Sequence, residues 1–412
     1  MRSLLFFLIL PALAMAQGTS SLTLQEAERL WLEHSRELRL GQAAVAGAAA
    51  DVTAAGQIPN PDVSLNMLSI SPWSGYGAGP WKDKKMDTQL RLDQLIERGS
   101  KRELRVKSAA ARLDAARFDL DDTGRQQLGM LRYAYYNLRL AQERLVLAQE
   151  TAALYGKSAE AGKLRKKAGD IAPVDLSRLQ IDQGRADSDA RQALTDLQQA
   201  RQALAYLIGR DAEAESLVAA DNWPVLEALA LSQAPLEQRP DLAAASRRLQ
   251  AAEAERDLAR AKKSRDVTLG VQYEHNMQNA PTNSYGFGVS VPLFIWHEYE
   301  GEIARSEADL DVARRQLEQL QAQATGQVAQ ARNALLSARD RYQRLEGGLL
   351  ADAERVAKAA EFAYSKGAMG LMDLLDARRT LRQIQIEAAS ARADYAKALS
   401  DWQIQAEFRK SK

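Results

Sequence analysis

Four short segments of this 412-residue chain alternate apolar and polar residues with a period of two. The third, for example, places Val267, Leu269, Val271 and Tyr273 on one face and polar or small residues on the other. Each segment is about 8–10 residues long, the length of a tilted membrane-spanning strand with one face toward lipid and one toward water. The strands are predicted at about residues 60–70, 85–95, 266–275 and 284–294.

The start of the chain has the parts of a secretory signal peptide. Arg2 precedes an apolar run from Leu4 to Leu13, and small residues follow at Ala14 and Ala16. We expect residues 1–16 to be a signal peptide, because the run is far shorter than the roughly 20 residues of a spanning helix. The chain has no cysteine and a net charge of +1, so we expect neither disulfides nor nucleic-acid binding. Export to a bacterial periplasm or outer membrane fits these features.

The chain also contains an internal duplication. The two pairs of predicted strands lie about 200 residues apart, and each pair is followed by a long helical stretch, a glycine turn and a second helix. The turns share one spacing, from Gly169 to Asp175 and from Gly367 to Asp373. The predicted parts are a first repeat at 17–209 with a tip near 165–175, a linker at 210–238, and a second repeat at 239–412 with a tip near 365–376.

The helices follow the pattern of a coiled coil. Apolar residues in the second repeat alternate steps of three and four, with one extra step of four after Ala324, which is a stutter. This seam comprises Leu310, Ala313, Leu317, Leu320, Ala324, Val328, Ala331, Leu335, Ala338, Tyr342 and Leu345. The fold class is therefore mainly α with a membrane β-barrel contribution. Four strands cannot close a barrel, which needs about eight or more, so two or three copies must share their strands.

These features together resemble the TolC family of outer-membrane efflux proteins, from about Leu22 to Phe408. The resemblance rests on the segments NPDVSL at 60–65, QLIERGSKR at 94–102, PLF at 292–294, YSKG at 364–367 and LMDLLDAR at 371–378. It implies a homotrimer with a twelve-stranded barrel and a long periplasmic α-helical barrel. It also implies a periplasmic adaptor and an inner-membrane pump, with the RND type favoured, and no cofactor. The segments are most similar to those of the heavy-metal-efflux branch.

Two carboxylates follow the second tip turn. Asp373 and Asp376 are three residues apart, so they share one face of a helix. In a trimer they would form a ring at the tunnel mouth, and such rings select cations. They also fit a plain helix start, where acids favour the positive end of the helix dipole. The resemblance implies that Tyr364 holds the tip helices together, which completes the predicted periplasmic gate.

The two tip turns are the predicted contacts with the adaptor. By resemblance, this surface comprises Gly169, Asp170, Asp175, Gly367 and Leu371. The glycines also have a simpler explanation, because glycine adopts backbone conformations that other residues avoid. Asp175 likewise fits a helix start.

Aromatic residues flank the predicted strands, as the girdles of membrane barrels do. These interfacial aromatics are Trp73, Trp81, Trp296 and Tyr299. His275 and Met277 are a weaker candidate for contact with metal ions, with surface residues as the default. We predict no bound metal among the functional sites.

No nucleophile–base pair, zinc motif or dinucleotide fingerprint occurs, so we expect a channel rather than an enzyme. The sequence favours an outer-membrane component of a tripartite efflux system for small substrates, with heavy-metal cations as candidates. Two alternatives stay open at this point. One is the outer-membrane duct of a type I protein-secretion system, and the other is a soluble periplasmic coiled-coil scaffold.

Overall fold

The computed structural model describes residues 20–70, 86–226, 231, 235–277 and 282–407. The predicted signal peptide, Trp73 and Trp81 therefore lie outside the described residues. The strands are β1 (Ser20–Leu22), β2 (Asp62–Leu68), β3 (Asp87–Ile96), β4 (Leu217–Ala219), β5 (Val267–Asn276) and β6 (Thr282–Ser290). The helices are α1 (Leu24–His34), α2 (Arg36–Gly56), α3 (Lys101–Lys167), α4 (Pro173–Ile208), α5 (Pro240–Ala261), α6 (Glu300–Arg344), α7 (Leu350–Ser365) and α8 (Leu371–Trp402).

The same order of elements occurs twice along the chain. A helix, a strand pair, a long helical segment, a glycine turn and a further helix run from α2 to α4 and again from α5 to α8. A π-helical turn at Leu345–Leu349 joins α6 to α7, whereas α3 is unbroken over 67 residues. Among the described residues, none of the helices combines the length and apolarity needed to cross a membrane.

The four longer strands form one antiparallel sheet in the order β2-β3-β5-β6. Its register aligns the apolar residues across all four strands, with Leu65 opposite Leu90, Leu90 opposite Tyr273, and Tyr273 opposite Tyr285. The predicted apolar and polar faces are thus confirmed. Strand β6 ends at Ser290, short of the predicted end near 294, because Pro292 has no N–H to donate to a ladder.

The chain divides into two compact units, and each takes segments from both halves of the sequence. One unit contains residues 40–123 and 235–325, including the four-stranded sheet. The other contains the segment ending at Arg39 together with 124–234 and 326–412, including both tip turns. The repeat boundaries at 17–209 and 239–412 stay a prediction.

The second unit has a core that the sequence did not predict. Short parallel strands β1 and β4 pair beside α1, α3 and α4, where Trp31, Tyr135 and Leu204 are buried. The hydroxyl of Tyr135 donates to the carbonyl of Leu22 at 3.0 Å, and burial raises the pKa of this phenol. Strand β4 lies inside the predicted linker at 210–238, so part of that linker is regular structure.

Candidate functional site

The two tip turns have the same backbone geometry. Gly169 and Gly367 adopt left-handed conformations, with φ of 81° and 74°. In the first turn, the N–H of Asp170 donates to the carbonyl of Arg165 at 2.9 Å. In the second, the N–H of Ala368 donates to the carbonyl of Ala363 at 2.9 Å. These bonds are those of a Schellman motif, which ends a helix at a glycine, and they explain the shared spacing that the sequence shows.

A small apolar core joins the two helix pairs just above the turns. Leu179 of α4 and Leu375 of α8 are buried against Tyr155 of α3, and Leu371 packs beside them. Burial raises the pKa of the Tyr155 phenol. Leu371, which was predicted as an adaptor contact, is therefore half-buried and serves this core as the first residue of α8.

Arginines of α8 neutralise acids on the neighbouring tip helices. Both carboxylate oxygens of buried Asp182 accept from Arg379 at 2.7 Å, and this hydrogen bonding raises the pKa of Arg379. Two further pairs follow the same pattern, Arg382 with Asp189 at 2.9 Å and Arg378 with Glu361 at 3.1 Å. Sequence reasoning missed this network. The sequence contains a signal for it, because Asp182 and Asp189 of α4 are separated by one heptad and α8 carries Arg379 and Arg382.

Asp373 and Asp376 are different from these paired acids. Both are exposed on the first turns of α8, and neither forms an ion pair or side-chain hydrogen bond with any described residue. Asp175, the counterpart of Asp373 in the first repeat, lies 3.8 Å from Arg178. Asp170, at the first turn, is also exposed and without an ion pair among the described side chains. The structure thus leaves two unpaired carboxylates at the start of α8.

Tyr364 connects two helices at the tip. Its hydroxyl accepts a hydrogen bond from Arg165 in the last turn of α3, and the guanidinium lies 5.6 Å from the ring centroid. Both side chains line a cavity of about 130 Å³ together with Leu371 and Arg378. A second link joins Arg178 of α4 to Sδ of Met372 at 3.3 Å. These contacts hold the helix pairs together within one chain, and the gate role of Tyr364 stays a prediction.

The polar face of the sheet carries a hydrogen-bonded ladder. Gln89 donates to Gln272 across the strands at 3.1 Å, and Arg91 donates to Asp93 at 2.7 Å and 2.8 Å. Gly270 lies opposite Asp93 in the register. The charges of Arg91 and Asp93 thus offset each other, while Asp62, opposite Asp93, and Glu274, opposite Gln89, add negative charge to this face.

Beyond β6, the two remaining interfacial aromatics have different surroundings. The side chain of Trp296 is 93% exposed, as expected for a residue that packs against something outside the chain. Tyr299 instead packs within its loop, with its ring centroid 5.3 Å from that of Phe294 and 4.8 Å from that of His297. Their interfacial role stays a prediction.

Comparison with known proteins connects this geometry to a family. A sequence profile described as "Outer membrane efflux protein" matches residues 29–210 and 231–401. The cobalt-zinc-cadmium resistance protein CzcC of Cupriavidus metallidurans is 28% identical over 310 residues, which is 74% of either chain.

Solved structures share the fold. The CmeC outer membrane channel of Campylobacter jejuni superposes with a TM-score of 0.79 at 17% identity, covering 93% of this chain and 85% of its own. CusC superposes with a TM-score of 0.73 at 18% identity, covering 93% of this chain and 92% of its own. The fold predicted from strand period, seam and duplication is the fold of these channels.

Proposed function

Because this chain belongs to the outer membrane efflux protein family, we propose that it is the channel of a tripartite pump that exports metal cations past a carboxylate gate. The proposed assembly is a homotrimer in outer-membrane lipid, joined to a periplasmic adaptor and an inner-membrane pump of the RND type. Family membership places the protein in the outer membrane as an efflux channel, which removes the soluble scaffold as an alternative.

The proposal for metal cations has two supports. One is the similarity to CzcC, whose name describes cobalt, zinc and cadmium resistance. The other is the charge at the start of α8, and this observation carries the gate assignment. Asp373 and Asp376 are exposed and unpaired among the described residues, while Asp182, Asp189 and Glu361 nearby are neutralised by arginines.

Unpaired carboxylates attract and order cations when symmetry repeats them around a pore. In a trimer, Asp373 and Asp376 would contribute six carboxylates, and their mutual repulsion must be offset by cations, protons or packing. A cation substrate would supply that compensation as it passes. We therefore assign the gate to these residues, with the Arg165–Tyr364 bond holding the tip helices that carry them.

The gate is tested in planar bilayers with the full-length protein. Asp373→Asn combined with Asp376→Asn is expected to lower the cation-to-anion permeability ratio and to weaken block by divalent cations added at the periplasmic side. Asp175→Asn is the matched control, because Asp175 has the same place in α4 as Asp373 has in α8. Loss of the helix-dipole interaction costs about 0.3–1 kcal/mol per acid, so Asp373→Asn alone is compared with Asp175→Asn for this effect. If the ion selectivity of the double variant is unchanged, both acids act only as helix-start residues and the gate assignment is wrong.

The substrate class is tested in a strain that lacks the gene. Complementation with the wild-type chain is expected to restore growth on zinc, cobalt or cadmium salts, and the Asp373/Asp376 double variant is expected to restore it less well. Secretion of a protein substrate is measured in the same strains. If complementation restores a secreted protein but not metal tolerance, the chain is the duct of a type I secretion system.

A further inference from the structure

An imidazole and a thioether meet at the end of strand β5. Nε2 of His275 lies 3.1 Å from Sδ of Met277, and both residues are half-buried. Residues two apart in a strand project from the same face, which is how these near neighbours come into contact. This face carries Leu269 and Val271, and it is opposite to the face that carries Gln272.

One tautomer of the His275 imidazole leaves Nε2 free to bind a cation. Nδ1 of His275 lies 2.7 Å from Oδ1 of Asn283 on β6, and the hydroxyl of Tyr273 donates to the same oxygen at 2.9 Å. In the tautomer in which Nδ1 donates its hydrogen to this carbonyl oxygen, Nε2 carries a lone pair. The thioether sulfur of Met277 also has lone pairs and no proton. In this tautomer both atoms are electron-pair donors, and at 3.1 Å apart they can bind one cation that lies beside them.

The surroundings hold this pair in place. The backbone N–H of Met277 donates to Oδ1 of Asp87 at 2.9 Å, and Asp87 is buried and accepts from Ser69 at 2.6 Å. Asn283 in turn fixes the imidazole, as the outer partners of metal-binding histidines do.

We propose that His275 and Met277 bind a soft monovalent cation, Cu(I) or Ag(I), at this edge of the sheet. Thioethers are soft ligands that select Cu(I), and imidazole accompanies them in copper sites. Zinc instead favours thiolate, imidazole and carboxylate sets, and the described residues hold no group of three such ligands.

The site has a different role from the gate. It lies off the polar face, so the bound ion is not in transit through the channel. The bound ion instead stabilises the end of β5, where His275 already contacts Asn283 of β6. The proposal therefore stands independently of the gate at Asp373 and Asp376, and of the substrate that the channel exports.

The test is titration of the full-length protein in detergent with silver nitrate in chloride-free buffer, followed by calorimetry. The wild type is expected to bind one more silver ion per chain than the variant His275→Gln with Met277→Leu. Met130→Leu is the matched control, since Met130 is an exposed methionine on α3, and it is expected to bind as the wild type does. Asn283→Ala is expected to weaken the site by about tenfold through loss of the imidazole's partner. Equal binding by the wild type and the double variant would overturn the site.

A second measurement needs no variant. Hydrogen peroxide is applied to the wild-type protein with and without silver, and oxidation of each methionine is measured by peptide mass spectrometry. Silver is expected to protect Met277 several-fold more than Met130, whereas zinc sulfate is expected to protect neither. If silver leaves Met277 unprotected, the contact is an N–H···S hydrogen bond and the proposal fails. If zinc protects Met277 as silver does, the assignment to soft cations fails.

Discussion

At the residue scale, glycines decide where Arg91 lies on the polar face of the sheet. A Cβ added at Gly270 would lie 2.7 Å from the Arg91 guanidinium, and one at Gly288 would lie 3.2 Å from it. The missing side chains let Arg91 lie flat across β5 and β6 while it pairs with Asp93. In a barrel of the outer membrane efflux family this face lines the lumen, where Arg91 offsets the charge of Asp93.

The Arg91–Asp93 pair predicts that its two single substitutions change ion selectivity in opposite directions. Arg91→Gln leaves the charge of Asp93 unbalanced and should make the channel more cation-selective. Asp93→Asn leaves Arg91 unbalanced and should make it less so. The double variant should return close to the wild type, because both charges are gone. Reversal potentials across a salt gradient in planar bilayers measure all three, and shifts of the same sign in the two single variants would contradict the argument.

At the scale of elements, the long helical segments of the two repeats differ, because α3 is unbroken and a π-helical turn separates α6 from α7. Every residue of the predicted seam in α6 is buried or half-buried, so the seam is confirmed. The next fully buried positions are Leu345 and Ala353, eight residues apart across the π-helical turn at Leu345–Leu349. In a continuous α-helix, eight residues turn about 800°, an offset of about 80°. The stutter from Leu320 to Val328 spans the same interval with buried Ala324 between them, whereas Leu349 in the π turn is 50% exposed and does not continue the seam. The wider π turn absorbs this extra residue.

Removing the extra residue should therefore be tolerated. Deleting Gly348 shortens the interval from Leu345 to Ala353 to the seven residues of a heptad, so the helix can continue without a π turn. Deleting Ala334 in the regular part of α6 should instead rotate every later seam residue by about 100° and abolish folding of this segment. Thermal unfolding followed by circular dichroism compares the two. Equal damage by both deletions would show that the π turn does not hold the excess residue.

At the scale of the whole molecule, the sheet ends in two unpaired edges. The order β2-β3-β5-β6 leaves one side of β2 and one side of β6 without a partner among the described strands. Open edges carry unpaired N–H and C=O groups, which are costly in lipid. Closing this sheet into a barrel therefore requires its edges to meet those of other copies, as they would among the twelve strands of the proposed trimer.

Assembly gives a prediction that distinguishes the two faces. Leu269→Arg places a charge on the apolar face and should cost about 2–4 kcal/mol near the midplane, which impairs insertion. Gln272→Arg places the same charge on the polar face and should leave assembly intact. Native mass spectrometry of outer-membrane extracts should show a trimer for the wild type and for Gln272→Arg, with less trimer for Leu269→Arg. A stable wild-type monomer, or equal loss in both variants, would contradict the barrel.

Local periodicity accounts for what the sequence determined about this protein. A period of two fixes the faces of β2, β3, β5 and β6, and steps of three and four fix the seam of α6, because each follows from backbone geometry over a few residues. The spacing around Gly169 and Gly367 likewise reports a helix end that depends on neighbouring residues alone. Fold class, duplication and family were therefore accessible before any coordinates.

Only the tertiary structure decided which side chains are partnered. Asp182 and Asp373 are both helix acids in the sequence, yet Asp182 is neutralised by an arginine 197 positions away and Asp373 is left exposed. Contact between His275 and Asn283, and the place of Arg91 over Gly270 and Gly288, depend on strand register in the same way. Such pairs form when segments that are distant in the sequence pack together, and local periodicity does not encode that packing. They determine which carboxylates stay unpaired at the proposed gate and which side chain orients His275 at the proposed cation site.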